Sequence, residues 1–370
     1  MKKEYRLGAL LIIVLVLALV LAGCQGGTAE PTEEPVVEQP TEEMAEAPTE
    51  EPAEAPTEEQ QGEEPVSLAL FHPVLGNTYT QAVSDGVMDA VEPMGATVDV
   101  FGADPAFDPV AQSNQIQDAI ISGQYDAFLI YAVDGNAVTT DVQDAIDAGI
   151  KVIAVDVVIG PDPRATEPWD GITSYIGRTG YDHGTFLADM MIRACDEVED
   201  DPCQIGYLNG AQSLTIDQER VAAIQEALAD HEDMEIVAMQ DANYLQDQGY
   251  DVAQNMLQAN PDIDVLATSG DQMMLGAEQA VIDAGMEGDI ILIGNGVGER
   301  GYEAIAEGRF FCGYADIPYT MGQIAGEIAV NAVRGEDVPS YVDNAEQSPP
   351  LPADGPLICQ DNVDQFEPQW

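Results

Sequence analysis

Residues 148–156 read Ala-Gly-Ile-Lys-Val-Ile-Ala-Val-Asp, a stretch that closes one predicted element and contains the next. The preceding residues, 141–148, place their apolar side chains on one helical face, and Gly149 follows them as glycine often follows a helix. Residues 152–155 are apolar and rich in β-branched side chains, which is typical of a strand buried in a parallel sheet. Asp156 comes directly after that strand. The stretch predicts one helix–strand unit of an α/β fold.

The same alternation recurs about every thirty residues through the rest of the chain. A second clear helical pattern covers residues 110–122 and is followed by Gly123. Ten short apolar runs are predicted as strands: 66–71, 97–101, 127–131, 152–155, 172–176, 204–208, 235–239, 265–269, 290–293 and 310–315. The proline-rich residues 161–170 interrupt the alternation near its middle and favour two lobes over one ten-stranded sheet. Two such sheets would meet at their carboxyl-end loops, where open α/β sheets bind ligands.

The first 24 residues predict export. A basic start is followed by residues 8–20, which are apolar or glycine and too few to span a bilayer comfortably. Residues 21–24 read Leu-Ala-Gly-Cys and resemble a bacterial lipobox, which implies lipid attachment at Cys24 and an extracytoplasmic, membrane-anchored protein. An ordinary exported protein and an uncleaved anchor are the alternatives.

Residues 25–65 are a repetitive Pro/Thr/Glu/Ala segment with 14 glutamates and no aromatic residue. Such a composition buries too little apolar surface to offset chain entropy, so it predicts a disordered linker. In an extended polyproline II conformation it would reach about 130 Å at most. The linker would carry the remaining residues, 66–370, away from a membrane surface.

Residues 66–370 are strongly acidic. Removing the linker glutamates and Glu4 from the 68 acidic residues leaves 53, against eight basic residues, for a net charge of about −45. This charge argues against nucleic acid and anionic lipid as partners. Solubility or adaptation to salt explains it most simply, and attraction of cationic ligands is the alternative.

Four cysteines remain after Cys24, and an even number in an exported protein favours disulfides. We predict the pairs Cys195–Cys203 and Cys312–Cys359. The first is favoured because its cysteines are close in sequence and would link the two ends of a helix-to-strand turn. A zinc site is the alternative, but the paired Cys-x-x-Cys spacing that it needs is absent from the sequence.

A series of short motifs occurs in a fixed order along residues 66–339. They are GNTYT at 76–80, AGIKVIAVD at 148–156, QER at 218–220, NPDID at 260–264, GD at 270–271, GA at 276–277, EGR at 307–309 and ADIP at 315–318. In order and spacing they resemble the ribose- and galactose-type periplasmic sugar-binding proteins, the substrate receptors of ABC importers.

The resemblance implies a periplasmic binding protein type I fold, with two Rossmann-like parallel-sheet lobes and a cleft that closes on ligand. Three crossovers would join the lobes, near Gly177, Asp316 and residues 348–352. The N-terminal lobe is then predicted to comprise residues 66–177 plus 317–347, and the C-terminal lobe residues 178–316 plus 348–370.

A sugar receptor needs carboxylates or amides, an arginine and aromatic rings. Position by position, the resemblance implies ligand contacts for Asn77, Tyr79, Thr80, Asp156, Arg220, Tyr244 and Asp316. Asp156 and Arg220 are the principal candidates, although a lone acid after a strand is often a cap and a lone arginine often a surface charge. Further candidates are Tyr131 and His72, each at the end of a strand, and Trp169 as a lid or hinge plug.

The chain also departs from the family pattern. Val157 stands where relatives typically have an arginine, and Gly180, Gly270 and Gly296 stand where they have polar site residues. Asp271 and Asn295, each next to one of these glycines, are predicted substitutes. The glycines leave room for a bulkier ligand, or could bring backbone donors close to it.

Other functions receive little support from the sequence. Residues 296–301 fit Gly-x-Gly-x-x-Gly after a strand, but the acid twenty residues on, Asp316, ends a strand just before Pro318 and so does not fit a dinucleotide site. No histidine lies in a catalytic motif, and the Asp241-x-Asn243 start of a calcium loop lacks the glycine and glutamate it would need.

The sequence therefore predicts a lipid-anchored, monomeric solute-binding protein without cofactor or metal. Its predicted partners are a small molecule, most simply a sugar, and an ABC permease complex, with membrane attachment through lipid only and no nucleic acid. The alternatives are a receptor for a nucleoside, signalling molecule or cationic metabolite, and a surface carbohydrate-active enzyme such as a glycosidase.

Overall fold

The structure is a computed structural model that describes residues 65–198, 202–344, 351 and 355–370. The predicted signal peptide, Cys24 and nearly all of the predicted linker lie outside these residues. Among the described helices, none has both the length and the apolar character needed to cross a membrane.

Strands and helices alternate through the described residues. The strands are β1 (Val66–His72), β2 (Ala96–Gly102), β3 (Ala127–Ile130), β4 (Lys151–Val155), β5 (Ser174–Ile176), β6 (Cys203–Asn209), β7 (Met234–Asp241), β8 (Val265–Thr268), β9 (Ile291–Gly296), β10 (Cys312–Ala315), β11 (Tyr341–Val342) and β12 (Leu357–Cys359). The helices are α1 (Thr78–Val91), α2 (Pro109–Ser122), α3 (Thr139–Asp147), α4 (Gly180–Cys195), α5 (Thr215–Leu228), α6 (Gln246–Ala259), α7 (Asp271–Ala284), α8 (Glu299–Ala306) and α9 (Pro318–Val333).

The described strands form two six-stranded sheets, in the orders β11-β5-β4-β3-β1-β2 and β12-β10-β9-β8-β6-β7. All the pairings are parallel except that of β10 with β12. The predicted two-lobed α/β fold is confirmed, and each of the ten predicted strands is present. The sequence did not indicate β11 and β12, because two or three residues are too few to show a periodicity.

Each sheet is covered by helices on both faces, which explains the continuous apolar strands. In the first sheet, Leu70 packs with α1 and α9 on one face, and its neighbour Phe71 packs with α2 and α3 on the other. Helices α1 and α9 approach closely because glycines face their partner's backbone. A Cβ on Gly86 would lie 2.1 Å from the carbonyl oxygen of Tyr319.

The chain passes between the lobes at the carboxyl ends of strands. It leaves the first sheet after β5, crosses to α4 and the second sheet, and returns after β10 through residues 316–317 to α9. It then passes from β11 to β12 through residues that are only partly described, including the predicted crossover at 348–352. The two sheets therefore face each other with the carboxyl ends of their parallel strands.

Both predicted disulfides are present. Cys195–Cys203 joins the end of α4 to the start of β6, and Cys312–Cys359 joins the paired strands β10 and β12. The second bond closes a sequence separation of 47 residues and ties β12 to the second sheet.

Candidate functional site

A cavity that is partly open to solvent lies between the facing edges of the two sheets. Nine of the ten predicted ligand-binding residues line it: Asn77, Tyr79, Thr80, Tyr131, Asp156, Arg220, Tyr244, Asn295 and Asp316. The structure thus brings together residues from both lobes that are far apart in the sequence.

On the N-terminal side of the cavity, Asp156 is the central polar group. It follows β4 with a positive φ of 63°, a left-handed conformation that aspartate tolerates better than most residues. The hydroxyl of Tyr79 donates to its Oδ1 at 3.3 Å, and Tyr131 also hydrogen-bonds the carboxylate. Burial raises the pKa of Asp156, while the hydrogen bond from Tyr131 and the charge of Arg220 oppose the rise.

On the C-terminal side, Arg220 is held by a buried network. Its Nη1 donates to Asp217 Oδ1 at 2.8 Å and to the Tyr244 hydroxyl at 2.6 Å, and that hydroxyl donates to the same carboxylate oxygen at 2.7 Å. Nη2 donates to Nδ1 of His183 at 3.3 Å. Burial, then the charges of Arg220 and Arg178, hold the pKa of His183 well below its ordinary value, so this ring is neutral.

The network leaves polar atoms that lack a protein partner. Among the described residues, Nε of Arg220 and Oδ1 of Asn295 are buried without a hydrogen bond. The Nδ2 of Asn295 donates to the carbonyl oxygen of Ser269 at 2.7 Å, which fixes the orientation of the amide. Asn295 therefore presents an oriented acceptor, and Arg220 a charged donor.

Asp316 is the second carboxylate of the cavity. It follows β10 at the return crossover and is 6% exposed. No hydrogen bond to its carboxylate is found among the described residues, whereas its backbone N–H donates to the carbonyl oxygen of Gly296 at 3.1 Å. Burial, and then the nearby charge of Asp156, raise the pKa of Asp316 to about 8.

Asn77 and Thr80 line the cavity but also hold the start of α1. Oδ1 of Asn77 accepts from the backbone N–H groups of Tyr79 at 2.7 Å and Thr80 at 3.4 Å, the arrangement of a helix N-cap. The Thr80 hydroxyl donates to the Asn77 carbonyl oxygen at 3.1 Å. Their local role is to fix the turn that brings the Tyr79 ring to Asp156.

Asp271, the tenth predicted residue, lies apart from the cavity lining. It is in the first turn of α7, and its Oδ2 accepts from the backbone N–H of Gly298 at 2.8 Å. Burial raises the pKa of Asp271 to about 7. Its side chain joins two loops of the second lobe behind the cavity wall.

Of the further candidates, Tyr131 lines the cavity, whereas His72 and Trp169 lie away from its lining. His72 is fully buried, its Nε2 is 2.9 Å from the Ser84 hydroxyl, and burial lowers its pKa to about 3. Trp169 packs against Gly160 within the first lobe. Within the described ranges, no group of three or more His, Cys, Asp or Glu side chains is arranged to hold a metal ion.

The expectation that glycines leave room for a bulkier ligand is wrong at all three positions. A Cβ on Gly270 would lie 2.8 Å from the ring of Tyr244, and one on Gly296 would lie 2.5 Å from the ring of Trp370. A Cβ on Gly180 would lie 2.3 Å from the Ile216 carbonyl oxygen. The chain's own aromatic rings and backbone fill the space that the absent side chains leave.

Several lining residues were not predicted from the sequence: Pro73, Val74, Phe107, Leu214, Ser269, Gln272 and Trp370. Trp370 comes from the end of the sequence, far from any motif. Gln272 could have been suspected because it follows the Gly270-Asp271 motif directly. For the other residues, no local pattern distinguishes a cavity wall from a core side chain.

Two α/β lobes with polar groups converging on a cavity between their strand ends are the arrangement of a two-lobed solute-binding protein. The family model described as "Periplasmic binding protein domain" matches residues 68–337. The chain belongs to this family.

Relatives and solved structures agree with this assignment. The chain is 26% identical to the ribose import binding protein RbsB of Salmonella typhimurium over 272 residues, which are 74% of this chain and 86% of the relative. It is 25% identical to the Bacillus subtilis ribose import binding protein over 275 residues, 74% of this chain and 83% of the relative.

Two solved structures share the fold. The periplasmic solute-binding protein of an Actinobacillus succinogenes ABC transporter, with bound D-allose, is 24% identical, with a TM-score of 0.68 over 81% of this chain and 100% of that chain. A Bacillus halodurans solute-binding protein with bound myo-inositol is 20% identical, with a TM-score of 0.69 over 82% of this chain and 98% of that chain.

The raised pKa of Asp316 predicts a pH dependence of stability. The carboxyl keeps its proton in the folded protein up to a pKa of about 8, but an unperturbed carboxyl titrates near 3.8. Between these values only the folded state holds this proton, so the group lowers the free energy of unfolding as pH rises, by at most about 1.4 kcal/mol per pH unit. We expect Asp316→Asn to remove this contribution in urea unfolding measured from about pH 5 to about pH 7.5.

Asp118→Asn, at an exposed position on α2, is the control for a change of surface charge. The free energy of unfolding of this variant should change with pH as that of the wild type does. The same pH dependence in Asp316→Asn as in the wild type would contradict the assignment of a protonated Asp316.

Proposed function

We propose that this protein captures a sugar or related polyhydroxylated small molecule outside the cytoplasm and delivers it to an ABC importer. The observation that carries the proposal is the convergence of part-satisfied polar groups from both lobes on one cavity that also has aromatic walls. Hydroxyl groups are donors to Asp156, Asp316 and Asn295 and acceptors from Arg220. The names of the relatives, which include ribose and allose binding proteins, support a ligand of this class.

A second candidate ligand is a cationic metabolite such as an amino sugar. Among the described residues that line the cavity, Arg220 is the one that is basic. Its charge is already matched by Asp217. The carboxyl groups of Asp156 and Asp316 therefore remain available to a cationic ligand. An ammonium group beside them would favour their ionised forms and bind them more strongly than a hydroxyl does.

Calorimetry separates these candidates. The panel comprises D-ribose, D-allose, myo-inositol, adenosine and D-glucosamine. Binding of a neutral polyol without turnover supports the first proposal, and binding restricted to D-glucosamine supports the second. Absence of heat with every sugar, polyol and amino sugar, or formation of a product, would contradict both.

Asp156→Ala and Arg220→Ala should each weaken binding of the responding sugar by about 2 kcal/mol or more, which is about 30-fold. Each change removes a charged group that a ligand hydroxyl would otherwise bond. Asp156→Ala also leaves the hydroxyls of Tyr79 and Tyr131 without their carboxylate acceptor, and Arg220→Ala leaves Asp217 without its charged partner. Calorimetric titration measures the loss, and circular dichroism checks folding.

The matched controls are Asp89→Ala and Arg193→Ala, which remove the same charges from side chains remote from the cavity lining. Their affinities should remain at the wild-type value. Unchanged affinity in both Asp156→Ala and Arg220→Ala would reject the proposed site.

We further propose that ligand binding closes the lobes by rotation about the crossovers at residues 177–179 and 316–317. The lobes would then comprise residues 66–177 plus 317–347 and residues 178–316 plus 348–370. The pairing of β11 with β5 and of β12 with β10 supports this division. The closed form would be the one that a permease complex recognises, with the binding protein acting as a monomer.

Contacts across the rim of the cleft support closure. Arg164, in the loop before β5, donates to Glu219 at 2.5 Å and to Glu226 at 3.4 Å, both on α5. Its guanidinium also lies 4.0 Å from the ring centroid of Tyr181 on α4. Arg164 therefore forms ion pairs with the opposite lobe.

Arg164→Gln should weaken ligand binding by about two- to fivefold, mainly through faster dissociation, because the ion pairs of an exposed arginine contribute only modestly. Stopped-flow fluorescence in low and high salt measures the rates, and salt should reduce the wild-type advantage. The control is Arg193→Gln, whose partner Asp189 lies on the same helix. Equal dissociation rates for Arg164→Gln and wild type would exclude a role of this ion pair in holding the lobes closed.

We also propose that the protein is anchored by lipid on Cys24 and carried by the linker 25–65. The basic start, the apolar residues 8–20 and Leu-Ala-Gly-Cys at 21–24 support this proposal. Cys24→Ser should move the expressed protein from the membrane fraction to the soluble extracytoplasmic fraction and abolish incorporation of labelled palmitate. Unaltered membrane retention would point to an uncleaved anchor.

A further inference from the structure

Residues 355–370 form a segment that belongs to the second lobe. Its strand β12 pairs with β10, and Cys359 is bonded to Cys312 of that strand. Ile358, Val363 and Phe366 are buried in the core of the second lobe. The family model ends at residue 337, so this segment lies beyond the part of the chain that the family pattern covers.

The last two residues of the segment reach toward the cleft and bond both lobes. Oε1 of Gln369 accepts from the backbone N–H of Thr320 at 3.0 Å, and its Nε2 donates to the Thr320 hydroxyl at 2.8 Å. The carbonyl oxygen of Trp370 accepts from the backbone N–H of Glu299 at 2.7 Å. These are first-turn N–H groups of α9 and α8, helices whose cap residues provide no side-chain acceptor. These bonds fix the end of the segment against the first turns of α8 and α9.

The indole of Trp370 lies in the cavity wall. Its Nε1 donates to the carbonyl oxygen of Gly296 at 3.3 Å, and its ring occupies the space that a side chain at Gly296 would need. The ring of Tyr79, from the other lobe, meets it edge to face with centroids 5.4 Å apart. Trp370 is therefore a large apolar surface that is oriented by a hydrogen bond at one end and faces the cavity.

We propose that Trp370 is a ligand-contacting and specificity-determining residue: its indole packs against a C–H face of the captured sugar and limits the size of the ligand. This inference rests on the proposed sugar-binding function. The segment 355–370 carries the residue, and the Cys312–Cys359 bond and the Gln369–Thr320 pair hold it in place.

The chemistry of a sugar explains why such a wall is needed. The hydroxyls at the rim of the ring are matched by Asp156, Asp316, Asn295 and Arg220, but its C–H faces require an apolar, flat partner. Trp370 provides that surface from the second lobe, next to a glycine that cannot provide one itself. A shorter side chain at position 370 would leave this face of the ligand in contact with water.

The experiment exploits the two tryptophans of the chain, Trp169 and Trp370. In Trp169→Phe, the indole of Trp370 is the sole tryptophan reporter, and its emission should change when D-ribose, D-allose or myo-inositol saturates the protein. In Trp370→Phe, the remaining Trp169, packed within the first lobe, should show a much smaller change. Calorimetry with the same sugars should give at least tenfold weaker binding for Trp370→Ala, partial recovery for Trp370→Phe and wild-type affinity for Trp169→Phe.

Size discrimination separates ligand contact from a merely structural role. Trp370→Ala should gain affinity for the disaccharide sucrose relative to the best monosaccharide, a change of rank order that general destabilisation would not produce. If Trp370→Ala does not fold, Trp370→Phe and the emission of Trp169→Phe still decide the question.

The outcomes distinguish this inference from the proposed function. Sugar binding by the wild type with equal affinity in Trp370→Ala, or with unchanged emission in Trp169→Phe, overturns the role of Trp370 and leaves the sugar-binding function standing. Failure of the wild type to bind any sugar overturns both.

Discussion

The structure depends on the need of buried polar atoms, at the facing ends of the two sheets, for hydrogen-bond partners. In the second lobe, Asp217 and Tyr244 hold Arg220, but Nε of that arginine and Oδ1 of Asn295 have no protein partner. A buried polar atom without a hydrogen bond costs about 1–3 kcal/mol. The proposed closure of the two lobes would therefore be favourable when a molecule between them supplies the missing donors and acceptors, and it would couple the chemistry of the ligand to the shape of the protein.

The polar groups are effective because rigid elements orient them. Asp156 and Asp316 each follow an interior strand of a sheet, and Arg220 lies on a helix whose first turn carries its partner Asp217. Asn77 caps α1 and so fixes the adjacent ring of Tyr79. Since these side chains are already held in place, little side-chain entropy remains to be lost when a ligand binds.

The size of the cavity is set by aromatic rings that occupy the space beside glycines. Tyr244 lies against Gly270, and Trp370 lies against Gly296. The aromatic rings of the cavity wall therefore come from segments that are remote in sequence from the glycines beside them. The glycines at 270 and 296 do not widen the site, because flat aromatic rings fill the space beside them.

The sequence by itself determined the two α/β lobes, the ten main strands, the disulfide pairs and nine residues that line the cavity. These follow from local periodicity, from strand ends that meet at one edge of a parallel sheet, and from motifs that occur in a fixed order. Only the tertiary structure decided that Asp271 turns toward Gly298, that aromatic rings fill the space beside the glycines, and that Trp370 enters the cleft. Such contacts join residues dozens of positions apart, and their formation depends on how the completed lobes pack rather than on any pattern within a local window of the chain.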